Sequence, residues 1–145
     1  MLAKQDRFGR ARSLGFSQIA FKTATADTSG NLFMIEHSNL KPGGPPLHFH
    51  LEQEEWFYVM EGQVLFQVGE KQVQLKAGDS LLAPRMVPHT FTAVGATPAK
   101  LLIGFTPAGK MEQFFIAAEK QPGALQDPSF FAKYDMKIVG PPLKV

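Results

Sequence analysis

From residue 17 to about residue 105, turn-forming residues interrupt the chain so often that only short strands fit between them. The 145 residues include 13 glycines and 11 prolines, about one residue in six, and these two types are the strongest local breakers of long helices. Between the breaks lie short runs rich in Phe, Val, Ile and Leu, at 16–24, 31–37, 55–60, 63–68, 80–83, 88–94 and 99–105. Gly69-Glu70 suits a two-residue hairpin turn with glycine at its first central position, and Glu61-Gly62 reads as a turn joining a strand pair. Many short strands at close, regular intervals predict an all-β sandwich or barrel.

Composition agrees with a single packed domain. Hydrophobic residues make up 44% of the chain and 13 of them are Phe, which supplies a core without difficulty. The formal charge is +2, and four of the basic residues, Lys4, Arg7, Arg10 and Arg12, fall in the first twelve positions. Without that stretch the body is slightly acidic, which argues against a nucleic-acid partner. Residues 1–15 are expected to form an N-terminal arm, either solvated or loosely docked as a lead-in. The absence of cysteine excludes disulfides, thiolate metal sites and thiol nucleophiles. No apolar run reaches membrane-spanning length and no secretory signal core precedes the strands, so a cytoplasmic protein without a membrane partner is expected.

After the barrel segment, 16–106, the pattern changes over 107–145. Met111, Phe114, Phe115 and Ala118 stand at i, i+3, i+4 and i+7, the spacing of one apolar helical stripe. Asp127 followed by Pro128 is a cap and first-turn signal for a second short helix, with Phe130, Phe131 and Tyr134 behind it. This helical and extended segment is expected to pack on the barrel.

Three of the four histidines carry chemistry by their placement. His48 and His50 are two apart, and in a strand that spacing puts both rings on one face. Glu55 begins the next strand and His89 begins a later one, after Pro84 and Pro88. Three neutral imidazoles and a carboxylate make a donor set suited to divalent first-row metals. Phe57 and Val59 share the face of Glu55, as Phe91 shares that of His89, whereas Trp56, Tyr58 and Met60 point the other way and are apolar too. A strand apolar on both faces is buried on both, under the C-terminal helices or under a second copy of the chain, and a homodimer is the expectation. His37 has the parity of Phe33 and Ile35 and is a candidate for the barrel interior. Glu52, Glu54 and Arg85 read as exposed charges beside the site. No nucleophile-elbow or phosphate-cradle pattern occurs.

The segment Gly43 to Gly62, GGPPLHFHLEQEEWFYVMEG, resembles the first motif of the cupins, with Glu55 six residues before Gly62 in the ligand position. GDSLLAPRMVPHTFTA, from Gly78 to Ala93, resembles the second, matched at Gly78, Pro84 and His89. Gly43 stands one residue nearer His48 than is usual, Met86 replaces the second-motif glycine and Ala93 its asparagine. The motifs are most similar to those of small quercetin 2,3-dioxygenase-like cupins.

The resemblance implies a double-stranded β-helix, a jelly-roll barrel with one or two short C-terminal helices. It implies one divalent ion (Fe, Ni, Mn, Cu or Zn) on His48, His50, Glu55 and His89, with Glu55 also as catalytic base. A substrate pocket is expected among Phe57, Phe66, Phe91, Met86 and His37. The implied activity is dioxygenation of a small aromatic or enolic hydroxy-ketone. The alternatives are a cupin that binds or senses a small molecule without turnover, and a cupin isomerase or decarboxylase.

Overall fold

The computed structural model describes residues 1–144. Eleven strands follow in chain order: β1 (Arg12–Ser13), β2 (Gln18–Thr23), β3 (Phe33–Leu40), β4 (Leu47–His50), β5 (Glu54–Glu61), β6 (Gln63–Val68), β7 (Lys71–Lys76), β8 (Ser80–Ala83), β9 (His89–Val94), β10 (Ala99–Thr106) and β11 (Met136–Gly140). Two helices, α1 (Met111–Lys120) and α2 (Pro128–Ala132), lie between β10 and β11.

The strands form two antiparallel sheets, ordered β1-β2-β3-β10-β5-β8 and β11-β4-β9-β6-β7. Their facing sides alternate inward with period two. Phe21, Phe33, Ile35, Phe57, Val59, Leu101, Ile103 and Phe105 point in from the first sheet, and Val64, Phe66, Phe91 and Ala93 from the second, all buried. Each such large side chain contributes roughly 1.5–3 kcal/mol by leaving water. Rings dominate the interior: Phe57 meets Phe66 edge-on at 5.1 Å and Phe91 at 5.6 Å.

The two sheets correct one expectation. β5 and β6 do not pair; β5 lies between β10 and β8, and β6 between β9 and β7. Gly62 is where the chain crosses from one sheet to the other, at φ 75° with the Ala99 backbone pressed against it. A local turn signal reports a change of direction, not which strand becomes the partner. Gly69, by contrast, closes the β6–β7 hairpin with φ 60°.

The apolar stripe of α1, Met111, Phe114, Phe115 and Ala118, is buried on the barrel. α2 starts on Asp127, whose side chain accepts from the Ser129 amide at 2.9 Å, with Pro128 next. The chain then returns as β11, which pairs with β4 at Met136 opposite His50 and Ile138 opposite His48.

The stretch before β2 makes contacts with the first sheet. Asp6 accepts from the Phe21 amide at 2.7 Å, and Arg12 sits 4.0 Å over the Phe21 ring with its Nε 3.4 Å from Asp6. Arg7 pairs with Asp27, and Arg10 with Glu119 of α1. These carboxylates offset the basic stretch where sequence order had separated them. Among the described residues, no helix is long and apolar enough to cross a membrane.

Candidate metal centre

Three strands bring the site together. His48 and His50 project inward from β4, Glu55 from β5 and His89 from the first position of β9, and all four side chains are buried. β4 is held on one side by β11 and on the other by a single register pair, His48 opposite His89. One donor atom from each residue lies within 4.8 Å of all the others. Glu55 Oε1 is 2.9 Å from His50 Nε2 and 3.0 Å from His89 Nε2.

Hydrogen bonding fixes which nitrogen faces the centre. His48 Nδ1 donates to the Pro46 carbonyl at 2.8 Å, and His89 Nδ1 donates to the Val87 carbonyl at 3.1 Å. A carbonyl only accepts, so the proton sits on Nδ1 and the Nε2 lone pair of each neutral ring turns inward. In His89 that lone pair then faces a carboxylate oxygen. Neither ring nitrogen of His50 has a hydrogen-bond partner with proper geometry, although the residue is almost completely buried. Buried acceptors crowded together are costly unless a cation lies among them.

The electrostatics point the same way. Burial, reinforced by the neighbouring rings of His89 and His50, pushes His48 well below its ordinary value, so this ring stays neutral. For Glu55, burial alone raises the carboxyl, but the adjoining rings of His89 and His50 outweigh it and hold the group below its ordinary value, so it is anionic. An N3O set, desolvated and anionic in part, with the outer nitrogens of His48 and His89 tied to backbone carbonyls, fits a divalent first-row ion. His48, His50, Glu55 and His89 are the residues able to hold it.

The centre opens into a cavity of about 40 Å³. Its walls are Phe91, Phe105, Met111, Phe115 and Phe131, and Leu14, Phe16, Pro45 and Leu125 are half-buried at its edge. Of the expected pocket residues, His37 and Phe91 line it. Phe57 and Phe66 do not: they pack against Phe91 and each other in the core. Met86 does not either. It is 53% exposed and its φ is 68°, the left-handed conformation that a glycine adopts freely. The backbone keeps the turn that the second-motif glycine serves, and the side chain projects to solvent. Arg85 is clamped by Glu54, which accepts from its backbone and guanidinium; the side-chain bond to Arg85 draws the Glu54 carboxyl down to about 2.

Sequence reasoning missed the wall that α1 and α2 supply, because the Phe114/Phe115 stripe and Phe131 read equally well as ordinary core. It missed Ser17, which bonds His37, and it missed β11. A larger open depression of about 1240 Å³ lies between residues 1–13 and the first sheet, but none of the four cluster residues lines it. Its Arg10, Arg12 and Lys100 are each within ion-pair distance of a carboxylate.

The cupin domain model matches residues 36–105. An uncharacterized protein of Methanocaldococcus jannaschii is 34% identical over 56 residues, 39% of this chain and 45% of that protein, so the chain spans less than half the length of this relative. Among solved structures, an RmlC-like cupin from Shewanella frigidimarina superposes with TM-score 0.64 at 21% identity, over 77% of this chain and 93% of that one. The nucleoside dehydratase Pac13 of Streptomyces superposes with TM-score 0.62 at 12% identity, over 92% and 87%. At those identities the likeness concerns the fold. Two antiparallel sheets, two short helices near the C-terminus and the match over both histidine-bearing motifs agree: residues 36–105 match the cupin domain, and the chain has the cupin fold.

Proposed function

We propose that the chain is a metal-dependent cupin that brings a small, uncharged hydroxy-ketone or enol to the centre for reaction with dioxygen. The observation that carries this reading is the meeting of lone pairs from His48, His50, Glu55 and His89 at the end of an aromatic-walled cavity. A divalent ion held there supplies Lewis acidity, which lowers the pKa of a bound hydroxyl. Glu55, held anionic, is the residue that would take that proton, and its burial would keep bulk water from competing. The phenyl walls orient a flat apolar body. Among the described residues lining the cavity there is no lysine or arginine, which disfavours a decarboxylase of small dicarboxylates.

A second reading, binding without turnover, rests on the same donor set and the same aromatic-walled cavity. Oxygen uptake separates the two. Protein loaded in turn with Fe, Ni, Mn, Cu and Zn is mixed with maltol, kojic acid and 3-hydroxyflavone. Uptake with the smaller hydroxy-ketones supports the enzyme; tight binding with no uptake for any metal favours the binding protein.

The outer face of β5 supports a homodimer. Trp56 and Tyr58 stack at 5.9 Å, and with Met60 and Leu82 they stay more than a third exposed in the single chain. α1 and α2 do not cover them. A second copy is the occupant we propose, since an exposed apolar strip of this kind marks an interaction surface.

A further inference from the structure

The cavity has one polar side chain outside the metal-binding cluster, among the described residues that line it: His37. The ring is 3% exposed and sits in a box of aromatics, stacked on Phe16 at 6.4 Å and meeting the edges of Phe91 and Phe115 at 6.1 and 6.2 Å. Its Nδ1 lies 2.9 Å from the hydroxyl of Ser17, itself buried. Its Nε2 makes no hydrogen bond among the described residues. The ring lines the cavity with Nδ1 satisfied by Ser17, so a polar ligand group in that cavity can complete Nε2. β3 holds the ring rigidly, with His37 opposite Ile19 on β2 and Leu101 on β10.

We propose that His37, positioned by Ser17, is the second polar contact of this cavity, and selects ligands carrying a neutral hydrogen-bonding group in addition to the oxygen pair that meets the centre. This rests on the hydroxy-ketone reading above and narrows it. Burial holds the ring neutral, so it discriminates through a single hydrogen bond and not through charge. Ser17 sets which tautomer is present: a hydroxyl donating to Nδ1 leaves an N–H at Nε2, whereas an accepting hydroxyl leaves a lone pair there. A ligand that is apolar throughout leaves Nε2 unsatisfied; one with a carbonyl or hydroxyl at that end fills it. Discrimination of this kind exceeds what apolar contact alone achieves.

The test uses the zinc-loaded full chain, which is diamagnetic, with maltol and kojic acid as probes. They share the chelating hydroxy-ketone; kojic acid carries a hydroxymethyl group on the far side of the ring from its hydroxyl, whereas maltol carries only a methyl beside its hydroxyl, so each probe is compared with itself across the variants. Calorimetry should show kojic acid binding wild type about tenfold more tightly than it binds His37→Phe, with maltol changed less than twofold. His37→Gln, which keeps a hydrogen-bonding end, should recover most of the difference. In ¹⁵N spectra of histidine-labelled protein, kojic acid should move the His37 Nε2 resonance, and Ser17→Ala should change the tautomer ratio with zinc content unaltered. Equal kojic acid affinity in wild type and His37→Phe, with an unmoved Nε2 resonance, overturns the proposal. Failure of both probes to bind zinc-loaded wild type instead overturns the hydroxy-ketone reading and this proposal with it. Loss of zinc in His37→Phe also sinks it, because the residue would then belong to the metal site.

Discussion

His48 and His89 face each other across the β4–β9 ladder as its one register pair, their ring centroids 4.6 Å apart. Each also donates from Nδ1 to a backbone carbonyl two residues before it, Pro46 for one and Val87 for the other. Two loops leading into neighbouring strands thus aim two imidazoles alike. Prolines at 46 and 88 stiffen both loops.

His50→Ala should remove most of the bound metal. His50 contributes a ring whose two nitrogens have no other hydrogen-bond partner, so nothing else in the protein compensates. A ligand that binds only the folded state stabilises it, so wild type should melt at higher temperature with metal than after chelation, and His50→Ala should not respond. Elemental analysis reads the stoichiometry, about one per chain in wild type. An unchanged metal content in His50→Ala would place the site elsewhere.

Met86→Gly should stabilise the fold. Met86 holds a left-handed backbone with its side chain in solvent, a conformation that costs a non-glycine residue roughly 1 kcal/mol. Relief of that strain, partly offset by the freer unfolded chain, should raise the melting temperature by about 1–3 °C. Because Met86 lies outside the cavity, metal content and probe affinity should stay the same.

Gly44→Ala and Gly104→Ala should behave oppositely. A Cβ on Gly44 would overlap the Phe91 carbonyl oxygen, which is backbone and cannot swing away. One on Gly104 meets only Leu32 and Met34 side chains at 3.8 Å, ordinary contact. Gly44→Ala should therefore cost several kcal/mol or abolish folding, and Gly104→Ala should change stability by less than about 1 kcal/mol. Urea unfolding midpoints decide it.

Lowering the pH should unfold wild type more readily than His37→Phe. Burial pushes the His37 ring down to about 4, with Glu55, the charged group facing it, opposing only in part. The unfolded ring titrates near 6.5, so between those values the unfolded chain binds the extra proton and stability falls as the pH falls. The loss begins below about pH 6.5 and is complete near pH 4, on the order of 3 kcal/mol at full extent. His48 stays in both proteins, so the comparison isolates His37 together with its coupling to Glu55. Parallel pH–stability curves for the two would show that His37 titrates normally.

Trp56→Lys should dissociate the proposed dimer. Sedimentation of wild type at micromolar concentration should give twice the 16.0 kDa chain mass, and the variant the single mass with unchanged metal content. A monomeric wild type would leave the Trp56/Tyr58 strip without its proposed occupant.

Much of the site was legible because it depends on short-range rules. The two-residue spacing of His48 and His50 places both on one face in any strand, and the turns before Glu55 and His89 start new strands whatever their partners are. The α1 stripe reads from helical period alone. The positive φ at Met86 could have been suspected from its place opposite the motif glycine, since backbone geometry outlasts the residue that suits it best.

What tertiary structure alone decided is non-local. That β5 and β6 go to different sheets, that β11 returns to flank the histidine-bearing β4, and that Phe105, Phe115 and Phe131 rather than Phe57 and Phe66 wall the cavity all depend on which distant strands pair. Local periodicity sets the face on which a side chain lies, whereas the neighbour across that face is chosen by packing the whole chain at once. The sequence by itself determined the strand-rich architecture and the donor set of the centre; only the folded barrel decided what those donors look out upon.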